Sequence, residues 1–258
     1  MEINGTKHIR EHPRGEADLN VEKRFLRSRL LTLAALFCLA ATFRQTARCG
    51  MTIVTEVNTT AAERADLAAR VEHIGKEAAD LVRNPDAQVT RLATPFFRHG
   101  AVYRVIYNGR HHPIAFTVGT AERHYAIMLP LSPGGFFELA AKAGVSLDTP
   151  DSRVSYAEVF LESTRDFRRR FQIIKNASEI ELLPNATPEQ KKRYEALVDK
   201  YEPLIRAPRA SSLSSGEIVL YALVGESLFE IRLKISGEGK VVRSDTVLER
   251  DLPITTAK

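Results

Sequence analysis

Cysteine is almost missing from this chain of 258 residues: there are two, Cys38 and Cys49, and none from Met51 onward. That excludes a disulfide framework, a thiolate nucleophile and a cysteine-ligated zinc site from everything after Met51. A cysteine-free domain folds equally well in oxidising and reducing compartments, so cysteine usage leaves the location open. Long apolar runs are missing too. The longest uncharged apolar stretch, Leu30 to Phe43, has 14 residues, where a membrane-crossing helix needs about 20. Recognisable catalytic signatures are also lacking: there is no G-x-S-x-G and no H-E-x-x-H. That does not exclude an enzyme, because catalytic groups need not be neighbours in sequence.

An excess of charge is the fourth absence, once the chain is divided. The whole sequence carries 37 basic and 32 acidic residues. Residues 1–48 hold nine of the basic and five of the acidic residues, which leaves 28 and 27 for the remainder. The high isoelectric point therefore belongs to the N-terminal segment, and nucleic acid is disfavoured as a partner of the rest.

That segment has the layout of a targeting or anchoring leader. Lys23, Arg24, Arg27 and Arg29 precede the apolar run, as a basic n-region precedes a signal core. The run is short for an anchor, and the acids before it do not suit a mitochondrial presequence. The expected division is a leader at 1–48 and a single α+β domain at 51–258, with two lobes at 51–205 and 210–258 as a variant. A chain whose translation starts at Met51 is the alternative; residues 1–50 are then a spurious extension and the product is cytoplasmic. On the first reading the protein is secreted or membrane-anchored, touches a membrane only through Leu30 to Phe43, and meets a protein or cell-envelope partner. Four of the seven asparagines (Asn4, Asn58, Asn176, Asn185) open an N-x-S/T triplet, which matters only if the chain is exported from a eukaryotic cell.

Within the domain the pattern predicts an N-terminal helix, then two antiparallel three-stranded β-meanders separated by two or three helices. Thr60 and Glu63 form a capping box ahead of Leu67, Val71, Ile74, Ala78 and Leu81, one face of a helix that Pro85 ends. Asn108-Gly109 between alternating runs is a hairpin signal; a two-residue turn there places Tyr107 opposite Arg110 and Tyr103 opposite Ile114. Tyr103, Val105, Tyr107, His112, Ile114, Phe116 and Val118 then share one face, with Arg104 and His111 on the other. A third strand is expected at 125–129. "LSPGGFFELAAKAGV" reads as a turn into a short helix that Gly144 closes. "SYAEVFLESTRDFRRRFQII" reads as a helix with a Ser155/Glu158 capping box and an apolar stripe through Tyr156, Phe160, Phe167, Phe171 and Ile174; a strand at 157–161 before a shorter helix is the alternative. Thr187, Pro188 and Gln190 mark another helix start. After the polar stretch "RAPRASSLSSGE", three alternating strands complete the chain.

Three groups could carry chemistry. His99, His112 and His124 could serve as a base or ligate a metal if two of them converge. Arg165, Arg168 and Arg169, at helical spacing, could hold an acidic partner, although the phenylalanines among them fit a buried face beside a solvated basic one. "SPGG" could offer amides to an anion but lacks the lysine of a phosphate loop. No cofactor and no metal is required by any of these patterns. The expected function is an exported or membrane-tethered, non-catalytic binding or structural module. The alternatives are a hydrolase or metal-dependent enzyme built on the histidines, and a cytosolic domain that binds an acidic partner through a basic helix.

Overall fold

A computed structural model describes residues 54–109, 113–122, 124–210 and 216–254 of the chain. All of them belong to one compact unit, Gly50–Lys258. The leader and its run Leu30 to Phe43 lie outside the described residues, as do His111 and His112. No helix among the described residues is long and apolar enough to cross a membrane.

The elements in chain order begin with β1 (Glu56–Asn58), α1 (Ala61–Val71), α2 (Lys76–Arg83), β2 (Gln88–Leu92), β3 (Gly100–Asn108), β4 (Pro113–Ala121) and β5 (Tyr125–Met128). They continue with α3 (Pro133–Ala143), α4 (Pro150–Thr164), β6 (Phe171–Ile174), α5 (Pro188–Tyr201), β7 (Arg209–Ala210), β8 (Glu217–Val224), β9 (Ser227–Ile235) and β10 (Val241–Glu249). The fold is α+β, with five α-helices and two antiparallel sheets of five strands among the described residues. The first described element is a strand, not a helix. Each expected three-stranded meander is part of a larger sheet: β1 and β2 extend the first to the order β1-β2-β3-β4-β5, and β6 and β7 extend the second. Residues 209–210, within the expected polar linker, pair with Val219 and Ile218 of β8. β6 pairs with Phe171↔Val224 to Ile174↔Tyr221 on the same strand, so β6 and β7 lie along β8 one after the other.

Helices cover both faces of the first sheet. On one face α1 and α2 bury Leu67, Val71, Ala79 and Val82 against Val89, Val105, Phe116 and Val118. The expected single helix is interrupted: α1 ends at Val71, and Gly75 opens α2. The interruption resets the helical phase, so Ala79 and Val82 become the buried pair while Ile74 is exposed. The hairpin register is Tyr107↔Ile114, Val105↔Phe116 and Tyr103↔Val118. This corrects the register expected from Asn108-Gly109 by four residues. Because four is even, the described side chains of β3 and β4 keep their expected faces. Pro113 is the first residue of β4, beyond the part that β5 pairs, so its missing N–H costs no ladder bond.

The other face of the first sheet meets α4, and α4 also packs on β7, β8 and β9 of the second sheet. A helix against one sheet buries one stripe. Here nine consecutive residues, Tyr156 to Thr164, are all buried, because the helix runs through a core supplied by both sheets. That core joins Leu92, Val102 and Ala121 to Phe136 and Leu139 of α3, and to Ile218, Leu220, Ile231 and Leu233 of the second sheet. Aromatic rings fix the helix along this path: Tyr156 meets Phe96 edge-on at 5.0 Å and Phe136 at 5.3 Å, and Phe136 meets Phe160 at 5.3 Å. The Tyr156 hydroxyl donates to the carbonyl of Gly239, in the β9–β10 turn. The outer face of the second sheet is covered by α5, with Leu197 and Tyr201 on Leu223 and Leu228.

Candidate functional site

The central helix is where the chemistry collects. It starts at Thr149, whose hydroxyl accepts from the Ser152 amide, with Pro150 in the first turn. Glu158 and Glu162 are therefore mid-helix residues one turn apart, and Ser155 with Glu158 is not the capping box the sequence suggested. Residues four apart lie above one another on a helix, with roughly 5–6 Å between their Cβ atoms.

Glu162 is fully buried and doubly ion-paired through one oxygen. Its Oε1 accepts from Nη2 of Arg104 at 2.6 Å and from Nε of Arg165 at 2.8 Å. Arg104, on β3, bridges onward through Nη1 to Glu56 of β1. The group thus ties the middle and edge of the first sheet to the central helix. Its hydrogen bonding is incomplete: Nε of Arg104 and Oε2 of Glu162 are buried without a partner among the described residues. Burial raises the Glu162 carboxyl above the ordinary range, while the Arg104 and Arg165 guanidiniums pull it the other way.

Glu158 is a different kind of carboxyl. It is 8% exposed and makes no hydrogen bond among the described residues. It opens on a cleft of about 210 Å³ lined by Thr55, Ala93, Pro95 and Ser155. Burial pushes it up to about 7, and Lys175 offsets only part of that. That shift brings its proton exchange close to neutrality, in a cleft that Ser155 and Thr55 also line.

The residues singled out from the sequence lie elsewhere or in other roles. His99 is exposed at the start of β3 and borders a separate polar cleft. His124 is exposed in the β4–β5 turn and lines neither cleft. His112 lies outside the described residues. Among the described residues no group of three or more histidines, cysteines or acids could hold a metal ion.

The basic helix is a correction. α4 ends at Thr164, Arg165 is already extended, and Phe171–Ile174 is a strand. Arg165, Arg168 and Arg169 thus do not line one helical face. Arg165 turns inward to Glu162 and lies 4.0 Å from the Phe167 ring centroid. The Arg168 amide donates to Asp166 in an exposed turn, and Arg169 is exposed there too. The stripe from Phe160 to Phe171 misleads because its later members belong to the strand that pairs with β8. In "SPGG" the Gly135 amide donates to the Ser132 hydroxyl, the Ser132 amide donates to the Leu129 carbonyl, and Pro133 has none to give.

The sequence reading missed Glu56, Arg104, Glu158 and Glu162. Two acids four apart within "YAEVFLEST" were the available signal, since carboxylates inside an apolar helix must find partners or shift their proton affinity. The chain matches no protein-family model, no curated protein and no solved structure.

Proposed function

We propose that the protein is an acid–base enzyme of hydrolytic type that works at the Glu158 cleft. One observation carries this reading: a nearly buried carboxyl without a hydrogen-bond partner among the described residues opens on a cleft of about 210 Å³, and burial pushes it up to about 7. Groups with shifted proton affinity in clefts are the usual mark of acid–base chemistry. Glu158 in its protonated form gives its proton to the leaving atom as the bond to that atom breaks. Water supplies the new bond, and the carboxylate of Glu158 takes up the proton that water releases. Ser155 and Thr55 are placed to orient the substrate by hydrogen bonds. Glu162, clamped by Arg104 and Arg165, positions the helix that carries Glu158 and touches no substrate. This reading moves the hydrolase alternative from the histidines to the carboxyls.

The test is a panel of chromogenic nitrophenyl glycosides, esters and phosphate esters, run with the full chain and with Glu158→Gln. Turnover by the wild type, with a rate that falls as pH rises through about 7 and disappears in the variant, supports the proposal. Turnover that survives Glu158→Gln refutes it. Binding of panel compounds without turnover would refute hydrolysis and favour the second reading, an exported or membrane-tethered binding module, for which the layout of the leader speaks.

A further inference from the structure

A second cleft, of about 260 Å³, lies where the C-terminal half of α1 meets the ends of β2, β3 and β4. It shares no residue with the Glu158 cleft. Its wall is polar, and its cations are held differently. Arg70 is engaged: Nε donates to Asp66 at 2.8 Å, and Nη1 donates to the carbonyl of Glu122. This fixes one guanidinium on the wall and occupies Asp66. Arg91 is not engaged in that way. It approaches Glu63 only to 3.7 Å, makes no hydrogen bond among the described residues, and is 45% exposed. His99 and Tyr103 border the same space, and neither ring makes a side-chain hydrogen bond among the described residues. Burial pushes the Tyr103 hydroxyl up, so at neutral pH it remains a donor.

Three donor groups without a side-chain hydrogen bond among the described residues therefore line one cleft: the fork of Arg91, which lies 3.7 Å from Glu63, the imidazole of His99 and the phenol of Tyr103. Arg70, ion-paired with Asp66, lines the same cleft. Three carboxylates would oppose an anion: Asp66, which Arg70 holds, Glu63, which pairs with Arg91, and Glu122 on the rim. Glu122 lies at the exposed end, at a residue whose φ is +46°, whereas Arg91 and Tyr103 project from neighbouring strands paired Arg91↔Tyr103. That pairing places the guanidinium and the phenol side by side, which suits a group with several oxygens spread about one centre.

We infer that this cleft binds the phosphate group of a small phosphorylated molecule, with Arg91, His99 and Tyr103 as its ligands. The geometry favours phosphate over a carboxylate because three donors from separate residues match three oxygens, whereas a carboxylate has two. The site gives His99 a role without a metal and without a second histidine.

The experiment is isothermal titration of the full chain with inorganic phosphate and with glycerol 3-phosphate, and with succinate for comparison. The variants are Arg91→Gln, Arg91→Lys and Tyr103→Phe, with Arg243→Gln on the outer strand β10 as the control. Saturable binding of the phosphate probes is expected, weakened about tenfold or more by Arg91→Gln, as for loss of a charge-assisted hydrogen bond. Arg91→Lys keeps the charge but loses the fork, so it should weaken binding by an intermediate factor. Tyr103→Phe should weaken it a few-fold, and Arg243→Gln should leave it unchanged. No saturable heat up to about 10 mM of either phosphate probe would overturn the inference. Succinate bound as tightly as glycerol 3-phosphate would overturn it too, as would equal losses in the Arg91 and Arg243 variants. None of these outcomes depends on Glu158, so this inference and the hydrolytic proposal fail separately.

Discussion

Replacing Glu158 with glutamine should make the protein more stable, and the gain should depend on pH in a calculable way. Folding raises this carboxyl from its ordinary 4.5 to about 7 because burial penalises its charged form. A tenfold change in proton affinity corresponds to about 1.36 kcal/mol, so holding Glu158 ionised in the folded state costs about 3 kcal/mol. The sign follows from which form the fold prefers. The protonated form is preferred, so no cost is felt below about pH 4.5, where folded and unfolded chains are both protonated. The cost grows as pH rises from there and is complete above about pH 7. Glutamine has nearly the same shape and no charge, so the variant escapes the cost throughout. Urea unfolding of wild type and Glu158→Gln from pH 4.5 to 8.5 should show a difference near zero at the acid end and about 3 kcal/mol in the variant's favour at the basic end. For a domain of this size that is roughly 6–12 °C in melting temperature. Comparing two proteins that share every other group removes most of the background titration. A difference that is flat with pH, or one favouring the wild type above neutrality, refutes the reasoning. Glu158 would then be hydrated or paired and could not act as an acid near pH 7.

Further outcomes rest on the packing and the caps. Arg104→Leu leaves Glu162 buried with one partner fewer and should cost about 3–5 kcal/mol, while Arg104→Leu/Glu162→Leu should recover most of that; urea midpoints with an unchanged slope would check both. Tyr156→Phe strands the Gly239 carbonyl and should cost about 1–3 kcal/mol. Gly239→Ala should cost about as much or more, because φ there is +82° and a Cβ would sit 2.5 Å from the Tyr156 hydroxyl; thermal melts would read both. Thr187→Ala removes the hydroxyl that accepts the Gln190 amide at 3.2 Å and should cost about 1 kcal/mol, with faster amide exchange confined to the first turn of α5.

The local signals in the chain are legible wherever a helix end is written in a few neighbouring residues. Thr60 with Glu63, Ser132 with Pro133, Thr187 with Gln190, and Gly144 all cap helices as their chemistry dictates. The face of β3 and β4 that carries Tyr103, Val105, Phe116 and Val118 is legible as well, because alternation survives an even slip in register. The slip itself is not legible: Asn108 stays in β3 and pairs with Pro113, so Asn108-Gly109 is not the two-residue turn that its chemistry suggests. The end of the central helix is not legible either. From Tyr156 to Ile174 the apolar residues fit one helical stripe, yet Phe171–Ile174 is drawn into the second sheet by β8. The site is the least legible part. Arg104 looks like a solvated residue on the outer face of a hairpin until a buried helix covers that face. Glu158 looks like a capping residue until the true cap, Thr149, is placed six residues before Ser155 and a full turn and more before Glu158. Two carboxyls in an apolar helix were visible, but the cleft beside one and the guanidiniums beside the other are made by strands distant in sequence.

The most direct test of the central claim is the titration of the Glu158 side-chain carboxyl carbon by NMR, assigned by its loss in Glu158→Gln. A midpoint near 7 is the predicted result and makes Glu158 a group that can give and take a proton at neutral pH. A midpoint near 4.5, the ordinary value, contradicts the account and leaves the cleft without its acid.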